Sequence, residues 1–431
     1  MRPPSVFICL MLFLLAPPAW AEPADLSTLA AQLARVRATH GINQMRDAGP
    51  ELTEVKHTLR AWVEQQLPAI PAPSGPYGIT YSLDMDDLTD LSARLSQALD
   101  KAGLTCGRWG SPDFRCGGNA KDFESERGYV DRVRLAFFDD DRYLMILTGV
   151  GMRCGFDQSA YIYEQGADRH WHLRLSIEQD RYGDHDYRPE NFVSIDVPIS
   201  HTPETEATPL PLVAAVGYSP WCSSNWNTLN TRLWRATSAT LSPKPILDRD
   251  DELYTATDLI AAAQLTDHDL LVQFDGRSVD GGVLIRTHVL HYAIGPADQL
   301  KRMAPVALNP SDFVEEWLTS PWTEASQWLG PKADRRALAL LHARIDKANI
   351  FGEFDPPLKQ CRKGAGLWQV SFIDDPDAKG RQTKPAYFQV RWQPPYDFTL
   401  VATSDHPFAG CDRDAALPAD ATMFPIQGWP H

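Results

Sequence analysis

The chain lacks the usual local signatures of catalysis: there is no GxSxG elbow, no P-loop, no HExxH and no dinucleotide-binding glycine fingerprint. The familiar serine-hydrolase, phosphate-loop, zinc-protease and Rossmann motifs are therefore excluded, and no cofactor is expected. Gly149-Val150-Gly151 lies where a strand runs into a turn, not ahead of a helix, and carries no weight as a phosphate loop. Positive charge is also scarce, with 41 Lys and Arg against 56 Asp and Glu and a net charge of −15. Nucleic acid and anionic membrane surfaces both require a basic face, so neither is an expected partner. None of the 7 cysteines forms a CxxC pair, which weakens redox and zinc-ribbon readings alike. Past residue 21 no apolar run is long enough to cross a bilayer core of about 30 Å, so the mature chain is not expected to insert in a membrane.

What is present is a globular composition: 431 residues, 43% apolar and 23% charged, which excludes a disordered or collagen-like chain. Residues 1–21 read as a cleavable signal peptide. Arg2 supplies the positive start, residues 6–16 form the apolar stretch, and Ala19, Trp20 and Ala21 give a small-x-small site before Glu22. The apolar stretch is too short to span a bilayer and is followed by Pro17 and Pro18. A periplasmic or secreted protein, exported in the bacterial manner, is expected.

Cleavage removes Cys9 and leaves Cys106, Cys116, Cys154, Cys222, Cys361 and Cys411. An even set in an oxidising compartment favours disulfides. Cys106 and Cys116 would tie off a Gly-, Asp- and Arg-rich loop. Cys154 and Cys222 follow equivalent strand ends, Val150-Gly151 and Val216-Gly217, and are expected to join neighbouring repeats. Cys361 and Cys411 then pair by elimination.

The expected organisation is α+β. After the leader come a helical segment (22–67), a Pro-rich linker (68–76), a small α/β segment with the Cys loop (77–128), an antiparallel β-repeat body (129–308) and an α+β region (309–431). Asp25 can cap a first helix carrying Leu29, Leu33 and Val36, and Pro50 can open a second with Leu52, Val55 and Leu59. Alternation then marks strands at 130–138, 143–152, 160–163 and 170–177, again at 192–199, 210–218, 229–235 and 245–247, and again at 270–274, 283–294 and 300–308. These units begin roughly 60 residues apart, a spacing that suggests about three propeller-like, four-stranded blades. The C-terminal strand candidates 367–373, 387–392 and 398–402 could add a fourth unit, with 79–83 closing the ring. A separate α+β region is preferred because helices at Asn309-Pro310 and around Leu338 and Leu341 intervene.

Ser278-Val279-Asp280-Gly281-Gly282 resembles the core of an Asp-box, the hairpin-turn motif of sialidase-type propellers, although Ile285 occupies the region of the aromatic that normally follows. The resemblance implies a stabilised turn between blade strands and no catalytic role. A metal site could draw on His170 and His172, which share a strand face, with His185 or a carboxylate of Asp184 or Asp186 from the next loop. The simpler reading places the two histidines on a solvated face with Trp171 packed inward. Paired carboxylates among Asp139, Asp140, Asp141, Asp184 and Asp186 could support glycoside hydrolysis, which needs an acid and a base or nucleophile about 5–9 Å apart. Acidic residues at hairpin turns are more often turn formers. Trp221, Trp226 and Trp234 cluster around Cys222 and could stack on a sugar or anchor a peptide, whereas His288 is expected to pack. The leading expectation is a non-catalytic binding protein for a protein or cell-envelope glycan partner. The alternative is an envelope glycan hydrolase.

Overall fold

The computed structural model describes residues 25–38, 48–67, 81–82, 90–106, 128–131, 133–138, 142–152, 155–166, 168–178, 191–197, 211–219, 224–237, 240–256, 261–346, 352–355, 358–364, 366–374, 385–394 and 396–414. Two helices lead, α1 (Leu26–Ala38) and α2 (Gly49–Glu64). Asp25 Oδ1 accepts from the Thr28 amide at 2.7 Å, the expected cap, and Pro50 stands in the first turn of α2. A short strand β1 (Tyr81–Ser82) and helix α3 (Asp90–Lys101) follow.

The first sheet is a four-stranded antiparallel meander: β2 (Arg134–Phe138), β3 (Tyr143–Met152), β4 (Gly155–Gln165) and β5 (Trp171–Ile177). Helices cover one face of it, with Leu29, Leu33, Leu52 and Leu59 packed on Leu144, Ile146, Tyr161 and Tyr163. A buried Lys56–Asp157 ion pair at 2.8 Å pins α2 to β4. The other face meets the second sheet, formed by β6 (Asn191–Asp196), β7 (Leu212–Ser219), β8 (Trp226–Arg235) and β9 (Leu247–Tyr254), with β1 on its edge beside β6. Met145, Ile162 and Leu175 oppose Phe192, Ile195, Val213 and Trp234 across that junction.

The third sheet comprises β10 (Ala261–Leu265), β11 (Asp269–Arg277), β12 (Ile285–Ile294) and β13 (Leu300–Arg302). Its Ala263, Leu270, Val272 and Leu290 pack on Leu212, Val216, Leu229 and Leu233 of the second. The second sheet is thus covered on both faces at β7, which is why β7 reads as an almost unbroken small-apolar run. Helices α4 (Pro310–Thr319), α5 (Trp322–Ala325) and α6 (Arg335–Asp346) then pack on a six-stranded sheet. Its strands are β14 (Gly352–Phe354), β15 (Lys359–Cys361), β16 (Leu367–Asp374), β17 (Ala386–Gln393), β18 (Asp397–Ser404) and β19 (Cys411–Asp414). Asn309 caps α4 by accepting from the Ser311 and Asp312 amides.

The architecture of the described residues is therefore α+β, with four open antiparallel sheets and few helices. The candidate strand at 79–83 lines up with β6, as Tyr81 opposite Ile195, so it extends the second sheet and not the C-terminal one. The last strand of the second unit runs Leu247–Tyr254 in place of 245–247, and the expected 300–308 strand stops at Arg302, ahead of Pro305. Cys361 and Cys411 form the expected disulfide across 50 residues, a closure that in the chain-entropy picture stabilises by about 4 kcal/mol. Cys106 is disulfide-bonded, while Cys116, Cys154 and Cys222 lie outside the described residues. No helix among the described residues is long and apolar enough to cross a membrane.

Candidate interaction surface

The antiparallel register of β8 and β9 sets Trp226 opposite Tyr254, Thr228 opposite Glu252, Asn230 opposite Asp250 and Arg232 opposite Asp248. Alternation puts these eight side chains on one face, a strip about 20 Å long, while Leu229, Leu233 and Leu253 point the other way into the third sheet. Asp248, Asp250 and Glu252 are exposed. Cross-strand pairing organises the strip: Arg232 Nε donates to Asp248 at 3.2 Å, and Asn230 Nδ2 donates to Asp250 at 2.6 Å.

At one end the strip becomes aromatic. The half-buried rings of Trp226 and Tyr254 lie 4.9 Å apart, and the Arg277 guanidinium sits 5.2 Å from the Trp226 ring centre while donating to Glu252 at 3.0 Å. Arg277 ends β11, so the third sheet supplies this member of a site otherwise built on the second. A side chain at Gly276 would meet His288 at 2.8 Å and the Glu252 carbonyl at 2.9 Å; the absence of a Cβ there lets β11 pass this close to β9.

Behind Arg277 stands a buried support. His288 stacks on Phe274, its Nε2 lies 3.2 Å from the Arg277 carbonyl and its Nδ1 lies 2.6 Å from Glu316 of α4. Arg286 joins Glu316 at 2.6 Å and Glu315 at 2.9 Å, and Glu315 in turn accepts from Ser278 Oγ at 3.1 Å and the Val279 amide at 2.8 Å. Burial alone would raise the Glu316 carboxyl, but Arg286, His288 and Arg302 outweigh it and hold it well below the usual carboxylate range. Burial disfavours the Arg286 charge, yet Glu316 and Glu315 leave it still harder to deprotonate than a free arginine. The nearby Arg302 lacks so close a partner: burial lowers its pKa, and it lies between the Tyr292 and Trp328 rings, 5.3 and 5.6 Å from their centres.

The Asp-box-like turn takes part in this support. It closes the β11–β12 hairpin with Ser278 Oγ accepting from the Asp280 amide and Asp280 Oδ1 accepting from the Gly282 amide, each at 3.0 Å. His288, expected to pack, is buried, and both its ring nitrogens face acceptors. The arrangement suits it to positioning Arg277.

The other residues singled out from the sequence stand elsewhere. His170 and His172 are exposed at the β4–β5 turn, where His172 Nε2 lies 3.1 Å from Asp168 Oδ1 and His170 Nδ1 lies 3.0 Å from the Asp168 carbonyl. The His170 amide and the His172 ring keep the Asp168 carboxyl below its ordinary range. Trp171 packs inward, 6.0 Å from Phe137. Asp139, Asp140, Asp141, Asp184, His185, Asp186 and Trp221 lie outside the described residues. Among the described residues no group of three or more His, Cys, Asp or Glu side chains is placed to hold a metal ion. Tyr254, Glu252, Arg277 and Glu316 were not singled out from the sequence, where 248–252 is an unbroken run of charged residues. Compared with known proteins, the chain matches no family model and no curated protein.

Proposed function

We propose that the chain is an exported, non-catalytic binding protein, delivered to the periplasm or beyond by the leader at 1–21, which holds a macromolecular partner against the β8–β9 strip. The three meander sheets are read as successive blade-like units that present this strip on a rigid body. One observation carries the reading: Trp226, Tyr254 and Arg277 form a partly exposed cluster, supported from behind by a buried ion network. Trp, Tyr and Arg are the residue types that dominate binding hot spots, and an ordered support lowers the entropy lost when they engage. The flanking carboxylates and guanidinium groups offer both acceptors and donors, which suits a protein surface first and a cell-envelope glycan second.

The test is purification of the intact protein from the envelope fraction of the exporting cell, beside a Trp226→Ala, Arg277→Ala variant. A component retained by the native chain and lost from the variant is the expected result. Turnover of an envelope glycan, abolished by substituting Asp184 or Asp186, would replace the proposal with the hydrolase reading.

A further inference from the structure

On its β6 side, the junction between the second and third sheets contains one acidic side chain, Asp196, in an apolar setting, while Arg249 and Asp251 pair with each other on its β9 side. β10 is the edge strand of the third sheet, and the amides of Ala263 and Leu265 point away from β11. Among the described residues no strand pairs with that edge. Side chains from β6 take the place of one: Ser194 Oγ accepts from the Ala263 amide at 3.3 Å, and Asp196 Oδ2 accepts from the Leu265 amide at 2.6 Å. Both β6 side chains are buried, and the cross-strand neighbour of Asp196 on β7 is Ala214.

Among the described residues, the strands packed around Asp196 provide no counter-charge. Asp196 is the only charged residue of β6, and neither β7 nor β10 contains Asp, Glu, Lys, Arg or His. On the first sheet, Asp157 of β4 is engaged with Lys56 on the helix-covered side. A carboxylate in this place keeps two backbone hydrogen bonds, from Leu265 and Val197, but no cation. An ionised group so situated is costly, whereas the neutral acid keeps an oxygen to accept from Leu265 and adds no buried charge.

We propose that Asp196 is a proton-operated latch on this junction: neutral, it holds the edge of β10 in place, and on losing its proton it loosens that edge from the second sheet. Burial pushes the Asp196 carboxyl up to about 6 from its ordinary 3.8, the Leu265 and Val197 amides offsetting only part of the effect. Because the closed state binds the proton more tightly than the opened state, closure is strongest below about pH 4 and weakens as pH rises through about 6. Within the second sheet, β7 alone separates β6, which carries Asp196, from β8 of the strip. The latch itself does not depend on the strip being a binding surface.

Amide hydrogen exchange of Ala263 and Leu265 in the intact protein, corrected for the intrinsic pH dependence of exchange, tests this. Exchange is expected to speed up about 50-fold between about pH 4 and 7. Asp196→Asn, which keeps the accepting oxygen and cannot ionise, is expected to remove that dependence and to be as protected at neutral pH as the native chain is in acid. A carbon-13 titration of the Asp196 carboxyl in the native chain needs no variant to fold, and its midpoint is expected near 6. A midpoint below about 5, protection that does not vary with pH, or an unchanged pH profile in Asp196→Asn would each overturn the latch.

Discussion

Two groups of charged side chains face each other across Arg277 and His288, and they differ chiefly in burial. On the inner side, Arg286, Glu315, Glu316 and His288 are removed from water and bonded to one another, with Ser278 and the Val279 amide completing the set. On the outer side, Arg232, Asp248, Asp250, Glu252 and Arg277 make similar pairs in contact with solvent. Breaking a buried pair strands a charge in a poorly solvated place, whereas an exposed pair contributes about 0–1 kcal/mol. The inner group therefore holds the third sheet to α4. The outer group does little for the fold, which leaves it available to a partner in the function proposed above.

That contrast can be broken by substitution. Arg286→Met leaves Glu315 and Glu316 buried without their cation and is expected to lower unfolding free energy by about 3–5 kcal/mol in chemical denaturation. A loss below about 1 kcal/mol would mean that the inner group is no more structural than the outer. Trp226→Ala should act in the opposite sense, weakening partner affinity by about 2 kcal/mol, roughly 30-fold by calorimetric titration, while shifting stability less than Arg286→Met does. Ser278→Ala removes one hydrogen bond to a buried carboxylate and should cost about 1–2 kcal/mol of stability, seen as a lower denaturation midpoint. Asp248→Asn, on the exposed strip, should change stability by less than about 0.5 kcal/mol. A large destabilisation there would make the strip a structural element.

Much of the fold was legible in the sequence because the strands bury one or both faces. β3 runs Tyr143–Met152 as its apolar pattern implies, and β7, buried on both sides, is evident from composition alone. β9 was misplaced because three of its outward residues, Asp248, Asp250 and Glu252, are charged and two of its inward ones, Arg249 and Asp251, pair with each other at 2.8 Å, leaving Leu247 and Leu253 to mark its inward face. β10 was missed for another reason: three alanines carry little strand signal, and the side chains that secure its edge come from β6. At the interaction surface, the tryptophan cluster pointed to Trp226. Tyr254, Arg277 and Glu316 reach it only through register and sheet packing, which no local motif encodes.

The central claim is that the β8–β9 strip meets a partner. Its most direct test is photo-crosslinking in the exporting cell, with a photoactivatable residue placed at position 250 in the middle of the strip or, for comparison, at position 340, where Leu340 is 67% exposed on α6. A discrete adduct from position 250 that is absent from position 340, and that disappears when Trp226→Ala is added, is the expected result. Equal adducts from both positions, or none from position 250, would contradict it.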